Sequence, residues 1–147
     1  MRIRKPGKIR DRLWFLGSEE SCIYLLEGEN ESIFVSGGLS YLVPDILRQL
    51  KEFRIDEARI KKILILHSHF DHVGIVPFFK RQIPELEILA SARGWEILGL
   101  PRAVQTINEF SLGVARFAAG LQVIVPKADF RRQGIFPDPL AQPHGMP

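Results

Sequence analysis

Three of the four histidines in this 147-residue chain lie in one six-residue segment, HSHFDH, at residues 67–72. His67 and His69 are two positions apart, so in an extended segment both side chains point to the same side. Asp71 has the same parity and adds a carboxylate to that side. His72 has the opposite parity, and it would turn toward a neighbouring ion if the chain entered a helix there. The spacing predicts a cluster of convergent metal-ligand side chains.

The chemistry of this cluster follows from its donor atoms. Imidazole nitrogens and carboxylate oxygens are typical ligands of zinc and of other borderline divalent ions. Two such ions about 3.5–4 Å apart would activate a water at neutral pH and polarise a carbonyl or phosphoryl oxygen. We therefore predict a hydrolytic site for up to two ions, with zinc as the first choice and iron or manganese as alternatives. The competing hypothesis, ordinary polar side chains in a loop, is disfavoured by the density of ligands.

The segments on either side of the cluster would position it. The run KKILILH at residues 61–67 predicts a strand buried on both faces. The following stretch, 73–82, predicts a short helix whose first turn holds Pro77. Within it, Gly74 would let the helix backbone pack close to the loop. LEILAS, at 86–91, predicts a second strand parallel to the first, so the histidines would lie where open α/β sheets place their ligands.

The N-terminal part of the chain has a different pattern. Short apolar runs at 12–17, 21–28 and 31–38 are separated by turn-type residues and predict a β-meander of three strands. A helix is predicted to begin near Pro44, because apolar residues then recur at spacings of three and four.

Two further helical segments follow the second parallel strand. Residues 92–99 predict a short helical turn, and residues 102–121 predict an amphipathic helix. We expect the apolar stripe of the longer helix to pack into the core. That stripe consists of Ile107, Phe110, Val114, Phe117 and Leu121.

Composition divides the chain into three parts. Residues 1–11 form a basic N-terminal arm, 12–125 the folded domain, and 126–147 an irregular tail with five prolines and two glycines. Residues 1–12 hold six basic residues and one acid, which leaves 14 basic and 16 acidic residues elsewhere. Because the excess of positive charge belongs to the arm, which we expect to be solvated, a nucleic-acid partner is possible but not favoured.

Membrane insertion is not expected from the sequence. No run reaches the ~20 apolar residues that a spanning helix needs, and the basic start is not followed by a signal-peptide pattern. The single cysteine, Cys22, excludes an internal disulfide. These observations predict a cytoplasmic protein.

The segment HSHFDHVG resembles the His-x-His-x-Asp-His motif of the metallo-β-lactamase superfamily. The resemblance extends from about residue 12 to about residue 121 and implies an α/β fold with α+β-type layers, a four-layer αββα sandwich. This chain would supply only the N-terminal half, followed by the Pro-rich tail. The resemblance further implies that His67 and His69 bind a first metal, and that Asp71 and His72 bind a second. Asp71 would also act in catalysis by positioning the nucleophilic water and shuttling protons.

Two departures from the family pattern stand out. Ser36, in VSGG, occupies the position of a family aspartate that braces the metal loop, and a serine would brace it more weakly. The family's later ligands, a histidine, a bridging aspartate and a second histidine, have no clear counterparts. The remaining candidates are His144, in a Pro-His-Gly context, and the late aspartates Asp129 and Asp138.

The resemblance therefore implies a metal-dependent hydrolase, truncated, whose substrate is a small molecule, an ester or a phosphodiester. The alternatives are a nuclease or phosphodiesterase of the same fold, and a non-catalytic metal-binding or interaction module that lacks the second-half ligands. A half sandwich would expose an apolar sheet face and a strand edge. Three explanations compete: a truncated gene, a half that pairs with a second copy in a homo-oligomer or with a complementing chain, and a degenerate protein with a structural role. Truncation is favoured, because the pattern of the sequence changes abruptly after Val125.

Overall fold

The computed structural model describes residues 5–118 of the chain. They form one six-stranded sheet whose strands lie side by side in chain order. The strands are β1 (Gly7–Arg10), β2 (Leu13–Gly17), β3 (Cys22–Glu27), β4 (Ser32–Val35), β5 (Ile60–Ile65) and β6 (Glu87–Ala90). The helices are α1 (Val43–Glu52), α2 (Phe70–Val73), α3 (Val76–Gln82), α4 (Ala92–Leu98) and α5 (Pro101–Ala118), with 3₁₀ turns at Ser40–Leu42 and Glu57–Arg59.

The sheet changes its pairing direction in the middle. Strands β1 to β4 pair antiparallel, whereas β4, β5 and β6 pair parallel. The connection from β4 to β5 contains α1, and the connection from β5 to β6 contains α2 and α3. The predicted meander is confirmed as β2 to β4, and the predicted parallel strands are confirmed as β5 and β6.

Strand β1 was not predicted. Residues 7–10 fall within the basic arm that we expected to be solvated, yet they pair with the edge of β2, with Gly7 opposite Phe15 and Lys8 opposite Trp14. The Lys8 ammonium lies 5.5 Å from the centroid of the Trp14 ring, a cation–π contact. The segment GKIR has a single apolar residue and therefore lacks the hydrophobic pattern by which a strand is predicted. Its strand conformation depends instead on the free hydrogen-bonding edge of β2.

The helices cover one face of the sheet and bury the core against it. Alternate side chains from the strands, including Leu25, Phe34 and Ile63, are fully buried on this face. Helix α3 contributes Phe79, whose ring meets that of Phe34 edge to face at 5.0 Å between centroids and 60° between planes. Helix α1 contributes Ile46 and other apolar side chains of its inner stripe. The described residues thus form an α layer on a β layer.

A buried amide ties α1 to the sheet. Gln49 is 4% exposed, and its side chain bonds both backbone groups of Gly17 at the end of β2. The Gly17 N–H donates to Gln49 Oε1 at 2.8 Å, and Gln49 Nε2 donates to the Gly17 carbonyl at 2.9 Å. Both groups would otherwise be buried without partners, so this contact fixes α1 against β2.

The opposite face of the sheet is more open, which corrects the prediction for β5. Leu64 is only half-buried, whereas Ile63 and Ile65 on the helix side are buried. Near it, Tyr24 is 36% and Leu26 44% exposed. In the described part of the chain, helices cover one face only, so a continuous apolar run does not here mean burial on both faces.

Charges also lie on this open face. Lys62 pairs with the carboxylates of Glu31, directly before β4, and of Glu87 at the start of β6. The hydrogen bond to Glu31 raises the pKa of Lys62 above its ordinary value.

Helix α5 buries a different stripe from the predicted one. Phe110 is 56% and Phe117 91% exposed, so the prediction that they pack inward is wrong. Leu121 lies outside the described residues. The small side chains of Ser111 and Ala115 let α5 pack closely, and they turn the aromatic residues outward by roughly 100°. The buried residues of α5 are Val104, Ile107, Ser111 and Ala115.

Among the described helices, none combines the length and the apolar character that crossing a membrane requires.

We expect Gln49→Ala to lower the free energy of unfolding by about 2–4 kcal/mol, because it leaves the N–H and C=O of Gly17 buried without partners. Urea denaturation measures the change. The matched control is Gln105→Ala at an exposed position of α5, where the side-chain amide donates a hydrogen bond to Glu109 one turn away. The control should shift stability by less than about 0.5 kcal/mol. Equal effects of the two substitutions would contradict the proposed role of Gln49.

Candidate functional site

The histidine-rich segment lies at the carboxyl end of the parallel strands. Strand β5 ends at Ile65, and α2 begins at Phe70. Between them the chain is a short loop, and His69, directly before α2, is extended with φ −77° and ψ 160°. The predicted order of strand, loop and helix is confirmed. Because β4, β5 and β6 run parallel, their carboxyl ends meet at this edge of the sheet.

Two histidines of the segment face each other. His67 Nε2 and His69 Nδ1 are 2.9 Å apart, so one ring donates a hydrogen bond to the other. Their centroids are 4.1 Å apart and their planes are nearly perpendicular. The His72 ring lies 5.4 Å from that of His67. Both His67 and His69 are exposed, so the three rings form an accessible group.

His72 contacts a different partner through each ring nitrogen. Its Nδ1 shares a hydrogen bond of 2.9 Å with the hydroxyl of Ser36, at the end of β4. Its Nε2 lies 3.6 Å from Asp71 Oδ2. In the tautomer that donates Nδ1–H to Ser36, Nε2 is left with a free lone pair. Ser36 thus orients the ring with Nε2 toward Asp71.

The turn after β4 is tied to α2 through the backbone. The Gly37 N–H donates to the His72 carbonyl at 2.7 Å, and the Gly74 N–H donates to the Gly38 carbonyl at 2.8 Å. A third bond of 2.8 Å runs from the Ile75 N–H to the Gly37 carbonyl. These bonds hold the α2 backbone against the turn and therefore set where His72 stands.

Glycine is required on both sides of this contact. A Cβ on Gly37 would stand 2.5 Å from the His72 carbonyl oxygen. A Cβ on Gly74 would stand 2.7 Å from the Gly38 carbonyl oxygen and would also collide with the Ser40 backbone nitrogen. The prediction that Gly74 permits close packing of helix and loop is confirmed.

The backbone of Ser36 is strained. Its φ is +72°, in the left-handed region that non-glycine residues rarely adopt. Its N–H still bonds the Leu64 carbonyl at 3.0 Å, so the residue belongs both to the parallel pairing and to the turn. The side chain is buried and its hydroxyl points at His72. The sequence predicted that Ser36 would brace the histidine-rich loop more weakly than an aspartate, but it did not identify His72 as the partner.

An aromatic pair at the border of the site was also missed. The ring of Phe70, the residue between His69 and Asp71, stacks on Phe110 of α5 at 5.3 Å and 19°. Phe70 stands inside the HSHFDH segment, so its position beside the histidines is visible in the sequence. Phe110 had no such signal, because its contact with Phe70 arises only when α5 packs beside α2.

The donor types of the cluster fit a borderline divalent metal, but the set is incomplete. Within residues 5–118, no group of three or more His, Cys, Asp or Glu side chains is arranged so that it could hold a metal ion. His67 and His69 converge as a pair, and Asp71 and His72 form a second pair. The other sequence candidates, His144, Asp129 and Asp138, lie outside the described residues.

Comparison of the chain with known proteins identifies its relatives. The profile of the metallo-β-lactamase superfamily matches residues 20–139. Ribonuclease J of Mycolicibacterium smegmatis is 31% identical over 70 residues, which is 48% of this chain and 11% of that protein. The chain therefore spans about a tenth of the length of this curated relative.

Solved structures agree with the family match. A metallo-β-lactamase from Cronobacter sakazakii is 25% identical, with 66% of this chain and 38% of that chain covered and a TM-score of 0.59. A subclass B3 metallo-β-lactamase of Bradyrhizobium japonicum is 21% identical, with 64% and 35% covered and a TM-score of 0.59. A class B3 di-zinc metallo-β-lactamase from an Alaskan soil metagenome is 22% identical, with 66% and 36% covered and a TM-score of 0.60.

The fold and the site define an α/β protein with a histidine-rich loop at the carboxyl end of its parallel strands. With the profile matching well over half of its length, this chain belongs to the metallo-β-lactamase superfamily. The fold predicted from the sequence is thereby confirmed.

We expect Gly74→Ala to lower the free energy of unfolding by about 1–3 kcal/mol, because the new methyl group must push the turn away from α2. Gly113→Ala is the control, since a Cβ on Gly113 meets nothing within 4 Å. There alanine should stabilise α5 by up to about 1 kcal/mol. Urea denaturation of both variants measures this contrast. Stabilisation by Gly74→Ala would contradict the close contact.

Proposed function

We propose that this chain carries the first part of a metal-dependent hydrolytic site and acts as a metallo-hydrolase. One observation carries the proposal. Two pairs of ligand-type side chains from HSHFDH, His67 with His69 and Asp71 with His72, lie at the carboxyl end of β5 in a member of the metallo-β-lactamase superfamily. The substrate class that the cluster suits is an ester or phosphodiester, since both react through a polarised oxygen.

Each side chain has a proposed role toward the metal. His67 and His69 would bind a first ion, and Asp71 and His72 a second. Zinc is the first choice, supported by the di-zinc enzyme that shares this fold, and iron or manganese are the alternatives. When bound, such ions would polarise a carbonyl or phosphoryl oxygen and make a water acidic enough to act at neutral pH.

The other steps rest on this chain's own groups. The Asp71 carboxylate, 45% exposed, can orient the attacking water and accept its proton. The Ser36 hydroxyl holds His72 by Nδ1 and leaves Nε2 free to bind. The hydrogen bond between His67 and His69 keeps the two rings converged. For both facing nitrogens to bind a metal, the ring that donates this proton would have to carry it on its other nitrogen.

A complete site needs further ligands. We propose that they come from outside residues 5–118, either from this chain, with His144 as the candidate, or from a second chain that completes the site. If neither supplies them, the protein is a weak metal-binding module without turnover. The three-part division of the chain and its cytoplasmic location remain predictions.

A phosphodiesterase or nuclease is the second candidate. The observation in its favour is the match to ribonuclease J, which covers nearly half of the chain. The charge distribution weighs against it, because residues 13–147 carry 14 basic and 16 acidic residues. We therefore place carbonyl esters first.

We expect His67→Ala to abolish zinc-dependent hydrolysis and to weaken zinc binding at least about tenfold, because the variant loses a direct ligand. Equilibrium dialysis with zinc measures the binding. Turnover of p-nitrophenyl acetate and of bis(p-nitrophenyl) phosphate distinguishes an esterase from a phosphodiesterase. In parallel, His144→Ala should weaken binding similarly if the chain completes its own site. Zinc binding by the wild type no tighter than by His67→Ala would refute the proposal.

We expect Ser36→Gly to weaken zinc binding about tenfold or more, because it removes the hydroxyl that orients His72. Glycine accepts a φ of +72° without strain, so this variant tests the hydroxyl without disturbing the backbone. Ser36→Asp should instead tighten binding, since a carboxylate is a stronger acceptor for Nδ1–H and aspartate tolerates positive φ. Equal zinc affinities of the three proteins, by equilibrium dialysis, would exclude this role.

A further inference from the structure

We infer that the stacked rings of Phe70 and Phe110, the aromatic shelf, bind the apolar acyl or aryl group of a carbonyl substrate. The inference rests on the proposed hydrolytic function and goes beyond it by naming the substrate class. Phe70 belongs to the histidine-rich segment itself, since it stands between His69 and Asp71 in the chain.

The geometry of the shelf favours a binding surface. Phe70 is half-buried and packs against the hydrophobic core, so its ring is held in place. Phe110 lies over it with ring centroids 5.3 Å apart and planes 19° from parallel, and remains 56% exposed. The Phe70 ring is therefore fixed by the core, while the Phe110 ring is in contact with solvent.

A solitary exposed aromatic residue would need no explanation, because such residues are common on protein surfaces. The shelf differs because its two rings stack on each other and one of them, Phe70, belongs to the segment that carries the histidines. Leu66, immediately before His67, is also 61% exposed, so apolar surface lies at both ends of the segment that carries the histidine pair. Concave or bordered apolar surface next to convergent polar groups is typical of small-molecule sites.

The charges around the shelf select the ligand. Neither 66–79 nor 103–115 contains a lysine or an arginine, so the two segments that carry the rings offer no cation to a phosphate. Glu109 next to Phe110 adds a negative charge. A nucleic-acid strand stacked on these rings would need backbone phosphates to be neutralised, whereas an acyl chain or aryl ring needs only apolar contact. The shelf therefore fits an ester or thioester with an apolar acyl group.

The test compares two esters that differ only in acyl length, p-nitrophenyl acetate and p-nitrophenyl hexanoate, on the zinc-loaded full chain. In Phe110→Ala, the ratio of kcat/KM for hexanoate over acetate should fall about tenfold, since the longer acyl chain loses its contact. Phe117→Ala is the matched control, because Phe117 lies on the same helix and is 91% exposed. Its ratio should match that of the wild type, and an unchanged ratio in Phe110→Ala overturns the inference.

A second measurement does not depend on turnover. Hexanamide, which is not hydrolysed on this timescale, is titrated into the metal-free chain while backbone amide resonances are followed by NMR. We expect shifts at residues 69–73 and 108–112, their loss in Phe110→Ala, and their retention in His67→Ala. Phe110→Leu, which retains apolar bulk, should give intermediate shifts and serves if the alanine variant does not fold.

The outcomes separate the two proposals. Hexanamide shifts without zinc binding would refute the proposed function and leave the shelf standing. Zinc-dependent turnover without hexanamide shifts would overturn the shelf alone. Shifts at Phe110 with a short oligothymidylate but not with hexanamide would assign the rings to nucleic acid and overturn the inference. A dimer that Phe110→Ala converts to a monomer, by analytical ultracentrifugation, would assign the rings to a second copy and overturn it as well.

Discussion

The backbone contact between the turn after β4 and helix α2 is the constraint on which the site depends. Three hydrogen bonds join Gly37 and Gly38 to the stretch from His72 to Ile75. They require an approach so close that a Cβ on Gly37 or Gly74 would collide with backbone atoms. Since the parallel pairing of β4 with β5 delivers both segments to one edge of the sheet, the pairing places the histidines and the contact orients them.

Ser36 links that contact to the chemistry. Its left-handed backbone costs on the order of 1–3 kcal/mol, which the surrounding hydrogen bonds must offset. In return the buried hydroxyl reaches His72 Nδ1 and sets the direction of Nε2. The helices that pack on this face of the sheet hold the surroundings of Ser36 in place. Helix α1 is fixed to β2 by the Gln49 amide, and α5 packs through small side chains. The site is thus held by the packed layer beneath it, while no helix within residues 5–118 covers the opposite face of the sheet.

Much of the fold could be predicted because local physics decides it. Alternating apolar residues predicted the strands of the meander, and the proline near the start of α1 predicted where that helix begins. Gly74 predicted a close approach of helix and loop, and all three local signals agree with the fold. The predictions failed where a distant partner decided the outcome. Strand β1 forms on the free edge of β2, and α5 turns Phe110 outward because Ser111 packs inward. The apolar run of β5 predicted burial on both faces, yet the described helices cover one.

The candidate site divides in the same way. The sequence by itself determined the types of the candidate ligands and their place after a strand, and spacing along the extended chain put His67 and His69 on one side. The same spacing did not hold for Asp71, which lies in α2 and pairs with His72 instead. Tertiary structure alone decided that Ser36 would hold His72 and that Phe110 would stack on Phe70. Those pairs are 36 and 40 positions apart, and only the packing of the sheet and helices brings such residues within hydrogen-bonding or stacking distance.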